Sequence, residues 1–348
     1  QSGTITPKSL APLDRNSQGE QLIMIKPLYY YSVAVFIFVT IMTRNRLLKK
    51  QNPMKKSILL FAFLLTILNS CEREDNKNPE ECYSNTNAQT LVHDGLNREY
   101  VLYIPDSYDG TSAVPLMLNF HGFSQSVSDY MIEADMRPLA ESDTLIIVYP
   151  QGSCLDGLSQ WNPCPIGGDN KSDADDFGFV EVLIVEISSQ YNVDMERIYA
   201  VGYSNGGMMA YGLTNYKSDL IAAVASVSGA MLDCIGNTSH PMPVLHLHGT
   251  DDYILPYNGG KGVNSVQNTL DHWIDFNNTT TNPIISTEDS GGMVIEHYVY
   301  DQGDNSVSVE HYKYIGGKHV WDIGTFQGQN TSELIWNFVS RYDINGKR

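Results

Sequence analysis

Ile198-Tyr199-Ala200-Val201-Gly202-Tyr203-Ser204-Asn205-Gly206-Gly207-Met208-Met209-Ala210 reads as a short apolar strand, a Gly-x-Ser-x-Gly turn and the opening of a helix. That is the local context of a serine nucleophile elbow. The turn from strand into helix is so sharp that small residues must flank the serine. Gly202 and Gly206 provide that room, and Ser204 then projects from the end of the strand. The five-residue pattern alone carries little weight; the strand before it and the helix after it supply the rest.

Outward from this elbow, strand and helix patterns alternate over about 250 residues. Arg98–Pro105 alternates like a strand, and Pro115–Phe120 is an apolar run of the buried-strand type. Met136–Glu141 reads as helix and Leu145–Tyr149 as the next buried strand. A loop rich in Gly, Asn and Asp follows from Gln151 to Asp176. Val180, Leu183, Ile184, Ile187 and Tyr191 then recur at helical spacing, with Asp175 and Asp176 at the helix N-terminus, where carboxylates cap free N–H groups. Beyond the elbow, Ala222–Ser228 and Pro243–His248 read as buried strands and Val263–Phe276 as helix. Met293–Tyr300 and Ser306–Ile315 pattern as strands, and Thr331–Tyr342 as a closing helix. This alternation predicts a mostly parallel sheet with helices on both faces. Sites in such sheets lie outside the carboxyl ends of the strands.

The chain has 348 residues and a formal net charge of −18. Nine of its 22 Lys/Arg but two of its 40 Asp/Glu fall in residues 1–71, which leaves the remainder at −25. So acidic a body argues against nucleic acid and against adsorption to anionic membranes. The first residues form two leader-like segments. An apolar run from Leu28 to Met42 precedes the basic cluster Arg44, Arg46, Lys49 and Lys50. Met54-Lys55-Lys56, an apolar stretch to Leu68, and Leu68-Asn69-Ser70-Cys71 then have the parts of a secretory signal. The Leu-x-Ser-Cys ending resembles the lipobox of bacterial lipoproteins, which implies a lipidated Cys71 as the mature first residue. The expected division is 1–53 upstream, 54–70 signal peptide, 71–87 polar tether and 88–348 catalytic domain. A membrane anchor at Leu28–Met42 is the alternative, and its 15 residues are short for a span of about 20. The acidic tether after Cys71 resembles the surface-export signal of lipoproteins from the Bacteroidetes, which implies an outer-membrane or cell-surface location, with a periplasmic or secreted one as the alternative. Cys82, Cys154, Cys164 and Cys234 remain, an even number that suggests two disulfides. Three connectivities are open. Cys154 and Cys164 bracket one loop, so the expectation is that pair together with Cys82–Cys234.

A serine hydroxyl is a poor nucleophile at neutral pH and needs a base, and the base needs an orienting carboxylate. In chains that carry this elbow the acid follows the serine and the histidine comes last. Val244-Leu245-His246-Leu247-His248-Gly249-Thr250-Asp251-Asp252 places Asp251 and Asp252 just past a downstream strand. Gly316-Gly317-Lys318-His319-Val320-Trp321 supplies His319 in a late glycine-rich loop. His246 and His248 come too early for the base and read as packing or loop-bracing residues. His93, His240, His272, His297 and His311 have no glycine-rich loop around them. An oxyanion hole needs two backbone N–H groups. Asn205, next to the serine, offers one; Asn119-Phe120-His121-Gly122-Phe123-Ser124-Gln125 offers the other, with Phe123 as donor and His121 bracing the loop. No cysteine or carboxylate cluster has metal-ligand spacing, and no cofactor is expected.

Several motifs now stand in order: His121-Gly122-x-x-Gln125, Tyr149-Pro150-Gln151-Gly152, Asp175-Asp176-Phe177-Gly178-Phe179, the elbow, His248-Gly249-Thr250-Asp251-Asp252, Pro256-Tyr257 and Gly316-Gly317-Lys318-His319-Val320-Trp321. Together they resemble the polyhydroxybutyrate depolymerase/feruloyl esterase group of α/β hydrolases across residues 88–342. The resemblance implies the α/β-hydrolase fold and a carboxylic ester hydrolase with Ser204, His319 and, of the two aspartates, Asp252. It implies feruloyl or acetyl esters on plant polysaccharide as substrates, with polyester or short-chain esters as the alternative. An inactive glycan-binding protein on the same scaffold is a further reading, opposed by the intact triad. Phe123 stands where Cys or Gly is common in the group, and Lys318 where Gly often precedes the histidine. Trp161 and Trp321 are expected to wall the cleft, and Gln125 and Tyr203 to contact substrate.

Overall fold

The computed structural model describes Cys82 and residues 87–348 apart from Asp169 and Lys261. Cys71, the two leaders and most of the tether lie outside the described residues. The strands in chain order are β1 (Gln89–His93), β2 (Leu96–Tyr103), β3 (Val114–Phe120), β4 (Ile146–Pro150), β5 (Ser153–Leu155), β6 (Leu158–Gln160), β7 (Val193–Tyr203), β8 (Ala223–Val227), β9 (Val244–Gly249), β10 (Ile284–Ser290), β11 (Met293–Tyr300) and β12 (Val309–Tyr314). The main helices are α1 (Val127–Glu133), α2 (Arg137–Asp143), α3 (Asp176–Gln190), α4 (Asn205–Tyr216), α5 (Val266–Asn277) and α6 (Thr331–Val339).

Ten strands form one sheet in the order β1-β2-β4-β3-β7-β8-β9-β12-β11-β10. From β4 to β12 every neighbour is parallel. The two edges are antiparallel, made by β1 and β2 on one side and β11 and β10 on the other. The central strands are buried on both faces, which is why they read as unbroken apolar runs. Edge strand β10 (IISTEDS) is mostly exposed and polar toward its end.

Side chains alternate between two cores. Ile198 and Ala200 of β7 face one core, filled by Phe179, Leu183 and Ile187 of α3, Met209 and Leu213 of α4, and Leu270 and Trp273 of α5. Tyr199 and Val201 face the other, filled by Tyr130 of α1, Ala140 of α2, and Leu334, Ile335 and Phe338 of α6. The result is the α/β-hydrolase architecture, a mostly parallel sheet covered on both faces.

The disulfides pair differently from the expectation. Cys82 joins Cys154 and Cys164 joins Cys234. Cys154 and Cys164 do share one segment, but β5 and β6 fold it into a hairpin that sets Cys154 opposite Ser159. Cys154 is exposed there, where Cys82 reaches it. Cys164 lies buried beyond the hairpin, its backbone clasped by both ends of the Asn170 amide.

Candidate active site

Ser204 sits between β7 and α4 with φ 53° and ψ −118°, a conformation that non-glycine residues rarely adopt. The backbone around it is packed too closely for any Cβ. One on Gly202 would lie 2.2 Å from the Gly206 carbonyl oxygen, and one on Gly206 would lie 2.0 Å from that of Phe120. The Ser204 N–H is tied to Val227 O of β8 at 2.9 Å. Strained dihedrals are thus fixed by the sheet on one side and helix packing on the other.

His319 and Asp252 come to this serine from loops after β12 and β9. His319 Nε2 is 2.9 Å from Ser204 Oγ, and His319 Nδ1 is 2.6 Å from Asp252 Oδ2. The two loops are locked together through backbone N–H groups. Asp251 N–H donates to Gly317 O at 2.9 Å and Gly316 N–H to Thr250 Oγ1 at 2.8 Å. A Cβ on Gly249 would lie 2.1 Å from Gly317 O, so the closeness of the loops depends on that glycine. Asp251 is exposed and does not face His319.

The Asp252 carboxylate is buried and fully partnered. Oδ1 accepts the N–H groups of Ile254 and Leu255, each at 2.9 Å. Oδ2 faces His319 and, at 3.2 Å, His248 Nε2. Burial pushes its pKa upward. The hydrogen bonds from His248, His319 and the Leu255 N–H outweigh that and hold it well below the usual carboxylate range.

The loop after β3 runs beside the nucleophile: a Cβ on Gly122 would lie 3.4 Å from that of Ser204. His121 braces it from a fully buried position. Its Nδ1–H donates to Gly122 O at 2.6 Å, so Nε2 accepts, and Gly152 N–H supplies the proton at 2.9 Å. Burial drives the His121 pKa down to about 4, which keeps that tautomer neutral. Ser124 N–H donates to Ser159 O of β6, and Ser159 Oγ–H to Gln125 O. Among the described residues the Phe123 N–H has no acceptor, and the Asn205 N–H, at the first position of α4, has no intrahelical one.

Other expected site residues have different places. Trp161 is buried. Its Nε1–H donates to His121 O at 3.0 Å and its ring meets Phe120 edge to face. Trp321 is also buried, edge to face with Tyr130 at 5.7 Å. Both are core residues beneath the loops and do not wall a cleft. Tyr203 is nearly buried, with its O–H on His319 O at 2.9 Å and its ring against the imidazole, so it holds the base loop. The Gln125 amide is used internally: Oε1 accepts the Gly122 N–H and Nε2 donates to Glu133. Instead, Phe123, Tyr253, Ile254 and Val320 are large apolar residues exposed within two positions of a site residue. The Lys171 ammonium lies 3.6 Å from the centre of the Phe123 ring.

Two further devices were not read from the sequence. The Asn205 side chain makes a reciprocal pair with the Trp161 backbone, Oδ1 accepting its N–H and Nδ2 donating to its carbonyl. Buried Asp176 binds Arg98 at 2.6 Å and accepts the Asn162 N–H, tying the hairpin segment to β2 and α3. The doubled aspartate before Phe177 was the available signal; Asp175 caps α3 and Asp176 turns inward.

A family model described as Phospholipase/Carboxylesterase matches residues 174–286, a stretch that contains Ser204 and Asp252 and stops before His319. The chain is 28% identical over 72% of its length to a bifunctional acetylxylan esterase/xylanase of Neocallimastix patriciarum. It is 27% identical over 71% of its length to feruloyl esterase B of Piromyces equi. It spans 34% and 46% of those two proteins, less than half of each. The solved acetyl xylan esterase from Aspergillus awamori superposes with a TM-score of 0.53 at 15% identity, over 73% of this chain and 98% of that one. That likeness shows the fold.

Proposed function

We propose that this chain is a serine carboxylic ester hydrolase whose substrates are feruloyl or acetyl esters on plant polysaccharide. The observation that carries the reading is the unbroken line from Ser204 Oγ through His319 to Asp252, at 2.9 and 2.6 Å. The same line speaks against an inactive glycan-binding scaffold. In the reaction, Ser204 Oγ attacks the ester carbonyl while His319 Nε2 takes its proton. Asp252 keeps the Nδ1–H tautomer and stabilises the imidazolium. The N–H groups of Phe123 and Asn205 hold the oxyanion. His319 then protonates the leaving alcohol, and water, activated in the same way, releases the acid and restores the serine.

The substrate class is supported by the names of the relatives, an acetylxylan esterase and a feruloyl esterase. The exposed apolar rim of Phe123, Tyr253, Ile254 and Val320 favours a second reading, polyester or simple short-chain esters. Export to an oxidising compartment is supported by two disulfides, and lipid anchoring at Cys71 by the Leu-x-Ser-Cys sequence. The deciding experiment compares the native chain and Ser204→Ala on methyl ferulate, acetylated xylan, p-nitrophenyl acetate and polyhydroxybutyrate. Loss of all turnover in Ser204→Ala, with an unchanged circular dichroism spectrum, is expected. Turnover persisting in that variant would remove the assignment. Faster depolymerisation of the polyester than release of ferulate or acetate would replace the substrate class.

A further inference from the structure

Behind Asp252 lies a second hydrogen-bonded line, which the acyl-transfer steps leave unused. His246 and His248 alternate with Val244 on the face of β9 that packs against α4 and α5, and both rings are buried. His248 Nε2 is 2.8 Å from Leu255 O and 3.2 Å from Asp252 Oδ2. Both neighbours are acceptors, so this nitrogen carries the proton. With one proton per ring, His248 Nδ1 is then an acceptor. It faces His246 Nε2 at 3.1 Å, which must donate. That leaves His246 Nδ1 as an acceptor, and the Tyr211 hydroxyl of α4 lies 2.7 Å from it. The line runs one way, from Tyr211 O–H through His246 and His248 to Leu255 O, with the Asp252 carboxylate 3.2 Å from the same N–H.

The surrounding groups keep that direction. His311 of β12 donates from Nδ1 to His246 O at 2.9 Å and accepts the Tyr257 O–H at Nε2 at 2.7 Å. Trp273 of α5 stacks on the far side of Tyr211. Burial, with the neighbouring rings adding to it, holds His246 well below the ordinary histidine range. Burial takes His311 down to about 3.

We infer that His248 is a positioning residue for the triad acid, with Tyr211 and His246 fixing its tautomer; this rests on the esterase reading of Ser204. Oδ1 of Asp252 is pinned by two backbone N–H groups, so rotation of the carboxylate is already blocked. What His248 adds is an N–H dipole 3.2 Å from Oδ2, the atom that meets His319. Sharing Oδ2 lowers the density of negative charge that His319 feels. The same N–H also holds Leu255 O, which closes the turn carrying Asp252.

The test uses the full chain with His248→Leu, His248→Gln and Tyr211→Phe, each normalised by fluorophosphonate titration of Ser204. Leu keeps the volume without the donor; the Gln side-chain amide carries a donor at the position of Nε2. For His248→Leu, kcat per labelled site is expected to fall about tenfold with KM little changed, because Leu255 O loses the bond that closes the turn carrying Asp252 and the acid drifts from His319. The acidic limb of the kcat/KM profile should move up by about half to one pH unit, because an unshared carboxylate holds the imidazolium more tightly. Gln should restore both, and Tyr211→Phe should move the limb the same way by a smaller step. An unmoved limb in His248→Leu, or a His248→Gln as impaired as it, overturns the proposal. If His248→Leu does not fold, an unmoved limb in Tyr211→Phe overturns it. A native chain that the probe fails to label at Ser204 defeats the esterase reading instead. In that case the downfield His319 Nδ1–H proton resonance still decides: a shift in Tyr211→Phe supports the positioning line, and no shift overturns it.

Discussion

Asp252→Asn replaces one oxygen by nitrogen, and the two ends of the native carboxylate are not equivalent. Oδ1 accepts two backbone N–H groups at 2.9 Å, from Ile254 and Leu255. An asparagine must leave its carbonyl oxygen there, since an NH2 group would face two donors. The NH2 then points at His319 Nδ1 and His248 Nε2, both of which present N–H in the native protein. His319 responds by moving its proton to Nε2, the nitrogen 2.9 Å from Ser204 Oγ. That nitrogen now donates, and the serine keeps its proton. The expected loss is about 10⁴ in kcat, the scale of a triad held in the wrong tautomer, or about 5 kcal/mol of barrier. KM should stay within about threefold, because no group facing the substrate is altered. The assay is steady-state hydrolysis of p-nitrophenyl acetate and methyl ferulate, with Asp251→Asn as the control. Asp251 is exposed, so that variant should keep native rates. An Asp252→Asn enzyme retaining a tenth of native kcat, or a collapse in Asp251→Asn, would refute the reasoning.

Three further outcomes follow from the same geometry. Asp252 is held below its ordinary value of 3.8 in the folded state, so its partners contribute stability that is complete above that value and lost as pH falls below it. Thermal melts from pH 6 to 2.5 should show a steeper acid loss in the native chain than in Asp252→Asn; parallel curves would contradict this. Peptide mapping without reduction should recover Cys82–Cys154 and Cys164–Cys234, and the Cys164→Ala/Cys234→Ala pair should lose about 2–4 kcal/mol in urea unfolding. A crosslinked Cys154–Cys164 peptide would show the hairpin to be misplaced. Phe123→Ala keeps the backbone N–H and removes an exposed ring beside the site. Its kcat on acetate esters should stay within about threefold, while KM for an aromatic acyl ester rises about two- to tenfold, the value of one ring–ring contact. An equal fall in kcat on both substrates would mean that the ring serves the loop and not the acyl group.

The elbow was legible because its demands are local. A serine at φ 53° with no room for a Cβ at Gly202 or Gly206 leaves a fixed trace of glycines in the sequence. The parallel strands were legible for a similar reason: burial on both faces removes polar residues, so β3, β4 and β8 announce themselves as apolar runs. Chain order then limits where an acid and a base can stand. The disulfides and tryptophans failed where the answer depends on which way a segment turns. Nine residues lie between Cys154 and Cys164, and the β5–β6 hairpin that carries Cys154 turns it outward while Cys164, beyond the hairpin, turns inward. Trp321 is two residues from His319, yet its side chain enters the core against Tyr130 while the histidine faces the serine. The histidines of β9 are a third case. Their alternation with Val244 placed them on one face, and packing or bracing was a sound reading. What decides their role is the direction of their hydrogen bonds, and that direction comes from one carbonyl, Leu255 O, and one carboxylate, Asp252, both past the end of the strand. Two acceptors at a single imidazole nitrogen fix its proton, and each ring behind it follows. A sequence specifies which groups meet along such a line; its polarity is set by the group at the end that has only lone pairs to offer.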